Sequence, residues 1–571
     1  MDTQLPVTLL TWLAAFVPIL LLLALLVWRR WSTSAAAPLA LIIAVAVALL
    51  LFRTPLETLA AATGKGIWDA IFVLYVIWPA LILYNVSNEA GAFDAMQRGL
   101  RRLMPDRLLV VLAFSWVLAP FIQSIAGFGT PLAVTTPLLI GLGVKPLYSV
   151  ILPIIAAAWA NMFGSLGATW LATQTVVDIP NQALMLRYST ILLWIPNLTG
   201  GLAVAWFYGK GWALKRAGPA IIVISLIQGG LQYILVPIVP TIGLFLATAA
   251  ALIGLFFLNR WSYYRQQDED EPQDIFTEEG IRTFHEENRR EAEERNREAQ
   301  STAVQRARAG DFTAAGLREK EGMSLVLAFT PYIVLAVLAV TALLIPPVTR
   351  ALEQFSVGLP FPAVSTGYGV QQAAEEAYAA FTPLTHPGTL LLIASLAGYL
   401  VFRSRGAYDA EDTPGSILAR AARDALPATT AITALLIISK VMDHSGEITV
   451  LALGVAQIAP QVVYVGLSNF LGILGALTTS SNTASNVLFA PLQFTAADAQ
   501  GLSPDLILAG QSAGGAIGNA LAPGDALMGA TVAGIPNQLG AILAKALPWA
   551  IITGLLVSAA MLVIYWLGAG G

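Results

Sequence analysis

Two short stretches of this chain have side chains that could hold a small anion, and both interrupt long apolar runs. The first is Ala126-Gly-Phe-Gly-Thr-Pro131, with two glycines and a proline that disfavour continuous helix, the proline also restricting Thr130. The second runs from Ser480 to Asn486 and places six hydrogen-bonding side chains in seven positions. Such side chains compete with a helix for its own backbone groups. Irregular backbone in hydrocarbon costs several kcal/mol per unsatisfied group, so it persists only where it is buried in protein or lines a cavity. Both stretches read as tips of re-entrant hairpins, where helix N-termini expose free N–H groups that attract anions. The candidate substrate-binding residues are therefore Gly127, Phe128, Gly129 and Thr130, with Ser480, Ser481, Asn482, Thr483, Ser485 and Asn486. The plainer reading is a small-residue packing face for the first stretch and interhelical hydrogen bonding for the second.

The kind of anion follows from the charges near it. No arginine lies inside an expected span, whereas a polyanion would want several. A small monoanion suits N–H groups, hydroxyls and amides. Ionisable residues near spans are functional suspects because they are expensive there. Ser439 to Glu447 carries Lys440, Asp443, His444 and Glu447 between two apolar runs, and its plain reading is a wet loop, with Lys440 neutralising Asp443. Asp525 follows Asn519-Ala-Leu-Ala-Pro-Gly. Asp443, His444 and Asp525 are the candidates for moving a proton; a histidine titrates near pH 6.5 when unperturbed.

These residues sit in a chain built for a bilayer. Of 571 residues, 57% are hydrophobic and 12% charged, about half the charge of a soluble protein. Fourteen apolar segments, the first at 7–28 and the last at 546–568, are long enough to be read as membrane spans. The first follows no basic segment and is too long for a signal-peptide core, so it reads as a retained helix. Basic residues after it, at Arg29 and Arg30, place the N-terminus outside. The fold class is all-α: a polytopic transmembrane bundle of about 12 to 14 spans. The absence of cysteine excludes disulfides and thiolate metal sites, and His285, His386 and His444 are too scattered for a histidine centre. No cofactor or metal is expected. A net charge of −4 and no basic stripe exclude nucleic acid as a partner.

Charge is concentrated in one block: 27 of the 66 charged residues lie between Asn259 and Glu321. Glu286–Arg290, Glu291–Arg295 and Glu293–Arg297 have the i, i+4 spacing of helical ion pairs, so the block reads as a solvated linker helix without an apolar face. It divides the chain into a first half, 1–258, with a hairpin near 123–142, a charged cytoplasmic linker, 259–322, and a second half, 323–571, with a hairpin near 471–497. The halves share a weak repeat. After each tip comes an apolar stretch, then Gly143-Val-Lys-Pro146 or Gly501-Leu-Ser-Pro504, then a helix reaching Asn161 or Asn519. Matched, interrupted apolar segments point to two inverted repeats with a substrate site between them at mid-membrane.

At these positions the sequence resembles the L-lactate permease family. The residues that carry the resemblance are Ile125 to Pro131, Gly141 to Tyr148, Thr479 to Phe489 and Gln511 to Asn519, and it covers nearly the whole chain outside the charged block. Ser481-Asn482-Thr483 also looks like the signature of a wider superfamily of carboxylate transporters. The resemblance implies proton-coupled import of lactate, or of glycolate in some members, with no enzyme activity. One departure is Gln123, where the family pattern has a glutamate in many members; glutamine cannot exchange a proton. The partners expected are a small carboxylate, protons and the lipid bilayer of the plasma membrane, with a homodimer allowed. The rival readings are a sodium-coupled carboxylate or anion carrier, a membrane enzyme and a channel.

Overall fold

The computed structural model describes residues 5–29, 31–104, 106–127, 129–264, 271–278, 323–409 and 413–569. Phe128 and most of the charged block, including its three expected ion pairs, lie outside the described residues.

The first half runs α1 (Leu9–Val27), α2 (Thr33–Leu50), α3 (Leu56–Glu89), α4 (Ala92–Leu103), α5 (Arg107–Ile125), α6 (Thr130–Gly141), α7 (Pro146–Ala156), α8 (Gly164–Val176), α9 (Gln182–Leu235) and α10 (Gly243–Arg260). The second runs α11 (Thr330–Leu344), α12 (Pro346–Leu352), α13 (Pro387–Ser404), α14 (Pro414–Ser445), α15 (Glu447–Ile458), α16 (Gln461–Thr479), α17 (Asn482–Ala499), α18 (Pro504–Asn519), α19 (Pro523–Val532) and α20 (Leu539–Ile564). A helix of 19 residues such as α1 is about 28 Å long, close to the roughly 30 Å of bilayer hydrocarbon.

Ten helices among the described residues are long and apolar enough to cross a membrane, or eleven if the pair α11 and α12, bent by 87°, is one span. The expected 12 to 14 segments map onto these and onto shorter pieces. Segments 189–208 and 219–236 form one helix, α9, of 54 residues, which breaks at Gly209 and Lys210. At about 80 Å that helix exceeds twice the hydrocarbon thickness, so a break is required. Segment 447–470 divides into α15 and the start of α16. Segments 147–163 and 505–521 end in breaks at the same place in the molecule, described below.

Each of the two irregular stretches lies between two helices. The first tip lies between α5 and α6, at 126–129, so its leading arm starts at Arg107. The second lies between α16 and α17 at Ser480 and Ser481. Gly510, Gly514 and Gly518 recur every fourth residue on α18, and a Cβ on Gly514 or Gly518 would run into the α16 backbone at Asn469 or Ile473. This small-residue stripe lets α16 and α18 pack backbone to backbone.

The bundle is not purely helical. β1 (Val357–Phe361) pairs antiparallel with β4 (Glu375–Phe381), and β2 (Val364–Ser365) with β3 (Gln371–Gln372). This small roof is tied down by Thr58, which donates to the Ser365 carbonyl, and by the ion pair of Lys65 with Glu375 at 2.8 Å.

The charged block also holds a packed piece. Residues 271–278 lie along the α6–α7 turn: Lys145 N–H donates to the Ile275 carbonyl and Thr277 N–H to the Gly143 carbonyl, each at 2.8 Å. Ile275 and Phe276 are buried, Phe276 edge-on to Tyr208 and under the Arg107 guanidinium. This strap packs on the bundle within a block whose sequence shows almost no apolar stripe.

Candidate functional site

Both tips border one small polar cavity of about 30 Å³. From the first come Gln123 and Gly127; from the second, Ser480, Ser481, Asn482 and Thr483; the broken helices supply Asn161, Gly164, Ser165, Ala168, Thr169, Asn519 and Asp525. The matched spacing in the sequence explains the convergence. α7 starts at Pro146 and its helical run ends at Asn161, and α18 runs from Pro504 to Asn519. Both asparagines arrive at the cavity, where Asn519 Nδ2 donates to Asn161 Oδ1 at 3.4 Å.

Each half then breaks its helix at the cavity. In the first, Ser165, Leu166 and Gly167 all have positive φ, 48°, 47° and 79°. Left-handed backbone costs roughly 1–2 kcal/mol per non-glycine residue, so surrounding contacts must impose it. In the second, α18 stops at Asn519 and α19 restarts at Pro523, with proline at the first helical turn. Each break is bonded to a tip. The Gly127 N–H donates to Ser165 Oγ at 2.8 Å, and the Gly524 N–H donates to Ser480 Oγ at 3.1 Å.

The tips have the geometry their composition asks for. Gly129, at φ 81°, begins α6, and a Cβ there would come within 2.5 Å of Met528 Sδ. Ser480 is left-handed at φ 55°, and Ser481 caps α17 by accepting from the Ala484 N–H at 3.2 Å. The N-termini of α6, α8, α17 and α19 meet at or beside the cavity, so several helix dipoles present their positive ends to one small space.

The polar lining is a connected chain. Gln123 Nε2 donates to Asn161 Oδ1 at 2.8 Å, and Asn519 Nδ2 donates to Asp525 Oδ2 at 2.8 Å. Thr169 and Thr483 are hydrogen-bonded through their hydroxyls at 2.6 Å. Among the described lining residues there is no lysine or arginine, and Asp525 is the one carboxylate.

The residues singled out in the sequence divide into three sets. Gly127, Ser480, Ser481, Asn482, Thr483 and Asp525 line the cavity. Gly129 and Thr130 are in the tip but behind the lining, Gly129 against Met528 and Asp525. Ser485 and Asn486 lie deeper in α17: Ser485 Oγ donates to the Gly472 carbonyl, and Asn486 Nδ2 donates to Thr173 Oγ1 and Ser512 Oγ. Those two bind helices together, as the packing reading of this stretch expected.

Asp443 and His444 lie away from the cavity. Asp443 is half-exposed, 3.3 Å from His444 Nδ1 and 3.5 Å from Gln372 Nε2 of the β roof. Lys440 turns away from Asp443 as its main partner and lies 3.4 Å from Asp69 of α3. Sequence reasoning passed over Asp69, although an acidic residue within an apolar run was visible. It also passed over Ser165 and Thr169, signalled only by the glycines flanking Gly164-Ser-Leu-Gly167.

The long apolar helices make this a multi-pass membrane protein, and the family it matches makes it a permease and not an enzyme. The chain belongs to the L-lactate permease family, whose family model matches residues 11–568. It is 29% identical over 540 residues to the L-lactate permease of Escherichia coli K12, covering 90% of this chain and 88% of that one. It is 26% identical to the glycolate permease GlcA of the same organism, with the same coverage, and 25% identical to the L-lactate permease of Bacillus subtilis, covering 93% and 91%. The solved YdaH transporter of Alcanivorax borkumensis is a distant likeness, with a TM-score of 0.40 at 15% identity over 90% of this chain and 88% of that one.

Proposed function

We propose that the protein imports L-lactate, or a related small 2-hydroxy monocarboxylate such as glycolate, across the plasma membrane by proton symport. The observation that carries this reading is Asp525 in a cavity whose described lining residues include no lysine or arginine. A substrate carboxylate entering that space meets a carboxylate already present. Two like charges at such a separation do not both stay ionised; one takes up a proton. Substrate anion and proton therefore bind together, and the pair crosses without net charge.

Gln123 keeps its place in the site as a hydrogen-bond donor to Asn161, while titration falls to Asp525 on the opposite broken helix. The hydroxyls of Ser481, Thr483 and Thr169 and the amides of Asn161 and Asn519 offer partners for a carboxylate and a neighbouring hydroxyl. Halves 1–258 and 323–571 each give one tip and one broken helix, the arrangement expected of two inverted repeats with the site between them.

The test is uptake of labelled L-lactate into proteoliposomes. An inward proton gradient accelerates and concentrates uptake, and a sodium gradient at equal pH does not. Uptake driven by sodium alone establishes the sodium-coupled reading instead.

A further inference from the structure

A second polar cluster lies inside the bundle, away from the cavity. Asp69 of α3 is fully buried. Its Oδ2 faces Lys440 Nζ of α14 at 3.4 Å and accepts from the Tyr378 hydroxyl of β4 at 2.9 Å. Lys440 Nζ also donates to the Thr175 carbonyl of α8. Around this pair stand Lys65 on α3, Glu375 on β4, and Asp443 and His444 on α14.

α8 is the element these contacts bear on. Thr175 is in its last turn, where carbonyls lack partners within the helix and a cation is favoured by the helix dipole. About 15 Å away, at the other end, α8 enters the cavity through its three left-handed residues. There it makes one bond to each tip: Ser165 Oγ accepts from Gly127 N–H of the first, and Thr169 bonds Thr483 of the second. Asn486 of α17 adds a third bond, to Thr173. The helix that sets the two tips in register is thus held, at its far end, by a charged lysine.

We propose that Lys440, fixed by Asp69, is a positioning residue for transport: it anchors the C-terminal end of α8 and so sets the distance between the two tips. Lys440 is not among the described residues that line the cavity, and its effect on substrate passes through α8. A charge in the membrane interior is costly enough to be retained only with a partner, and here the partner is Asp69. The inference rests on the transport reading above, and its test uses lactate exchange, which needs no net proton movement.

The chain has no cysteine, so a single Ala168→Cys on the cavity face of α8 reports the position of that helix directly. The measurements are the maleimide labelling rate of that cysteine, and KM and maximal rate for lactate exchange in proteoliposomes. Lys440→Met is expected to raise KM at least fivefold and to change the labelling rate at least threefold. Lys440→Arg, which keeps the cation, restores both to within about twofold. Because Lys440→Met leaves Asp69 unpaired and is at risk of misfolding, Asp69→Asn with Lys440→Gln is measured beside it; this neutral pair is expected to insert normally and still raise KM. Folded single or double variants with unchanged KM and unchanged labelling overturn the proposal. A parent protein that exchanges no lactate defeats the transport reading itself, and the labelling arm then still decides whether Lys440 positions α8.

Discussion

Thr483 and Ser485 are two positions apart in sequence and have different surroundings. Thr483 borders the cavity, whereas Ser485 donates to the Gly472 carbonyl and accepts from Gln511 Nε2. Thr483→Ala is expected to raise KM for exchange while the thermal midpoint holds. Ser485→Ala is expected to leave KM within about twofold and to lower stability by about 1–3 kcal/mol, the cost of an unsatisfied buried partner; thermal unfolding in detergent reads this. Gly129→Ala is expected to abolish transport, since its Cβ meets Met528 Sδ and its φ of 81° disfavours any side chain. The sequence marked the whole polar stretch because composition shows which residues can bond. It could not show which face of α17 each occupies relative to a tip that begins at Ser481, so cavity and packing residues were grouped together. Asp525 was legible because it directly follows the second broken helix. From the sequence Asp443 with His444 ranks ahead of Asp525 as proton carrier, because an acid beside a histidine has the same appearance whether it lines a site or meets a surface roof.

At the scale of elements, the irregular stretches at 126–131 and 480–486 stood out by their glycine, proline and clustered polar residues, since those residues act locally on backbone geometry. The β roof did not, because residues 353–381 are broken by Gly358, Pro360, Pro362, Gly367 and Gly369, and their pairing depends on contacts with α3. The strap 271–278 was missed for a related reason: its few apolar residues, Ile275 and Phe276, are outnumbered by charges on either side. The strap divides the linker into two parts with different expected tolerance. Deleting 279–320 is expected to leave exchange unchanged. Deleting 262–320 is expected to impair it, because burying a phenylalanine or isoleucine stabilises by about 1.5–3 kcal/mol each and both are lost from the α6–α7 turn. Exchange rates normalised to inserted protein make the comparison, and equal activity of the two deletions contradicts the strap's role.

Across the whole molecule, residues 1–258 and 323–571 both line one cavity, with Asn161 and Asn519 in contact on its wall. Apolar run length and charge placement were enough to read a membrane bundle, because the bilayer imposes the same requirement on every span. The long-range meeting of α3, α8 and α14 was beyond that reading, as it depends on which helices pack together. In the mechanism proposed above, Asp525 carries the proton that accompanies the substrate. The most direct measurement of that role is Asp525→Asn in proteoliposomes, assayed for lactate exchange and for pH-driven net uptake in the same preparation. Exchange is expected to survive while uptake driven by the proton gradient falls at least tenfold. Full pH-driven accumulation by Asp525→Asn would contradict the mechanism.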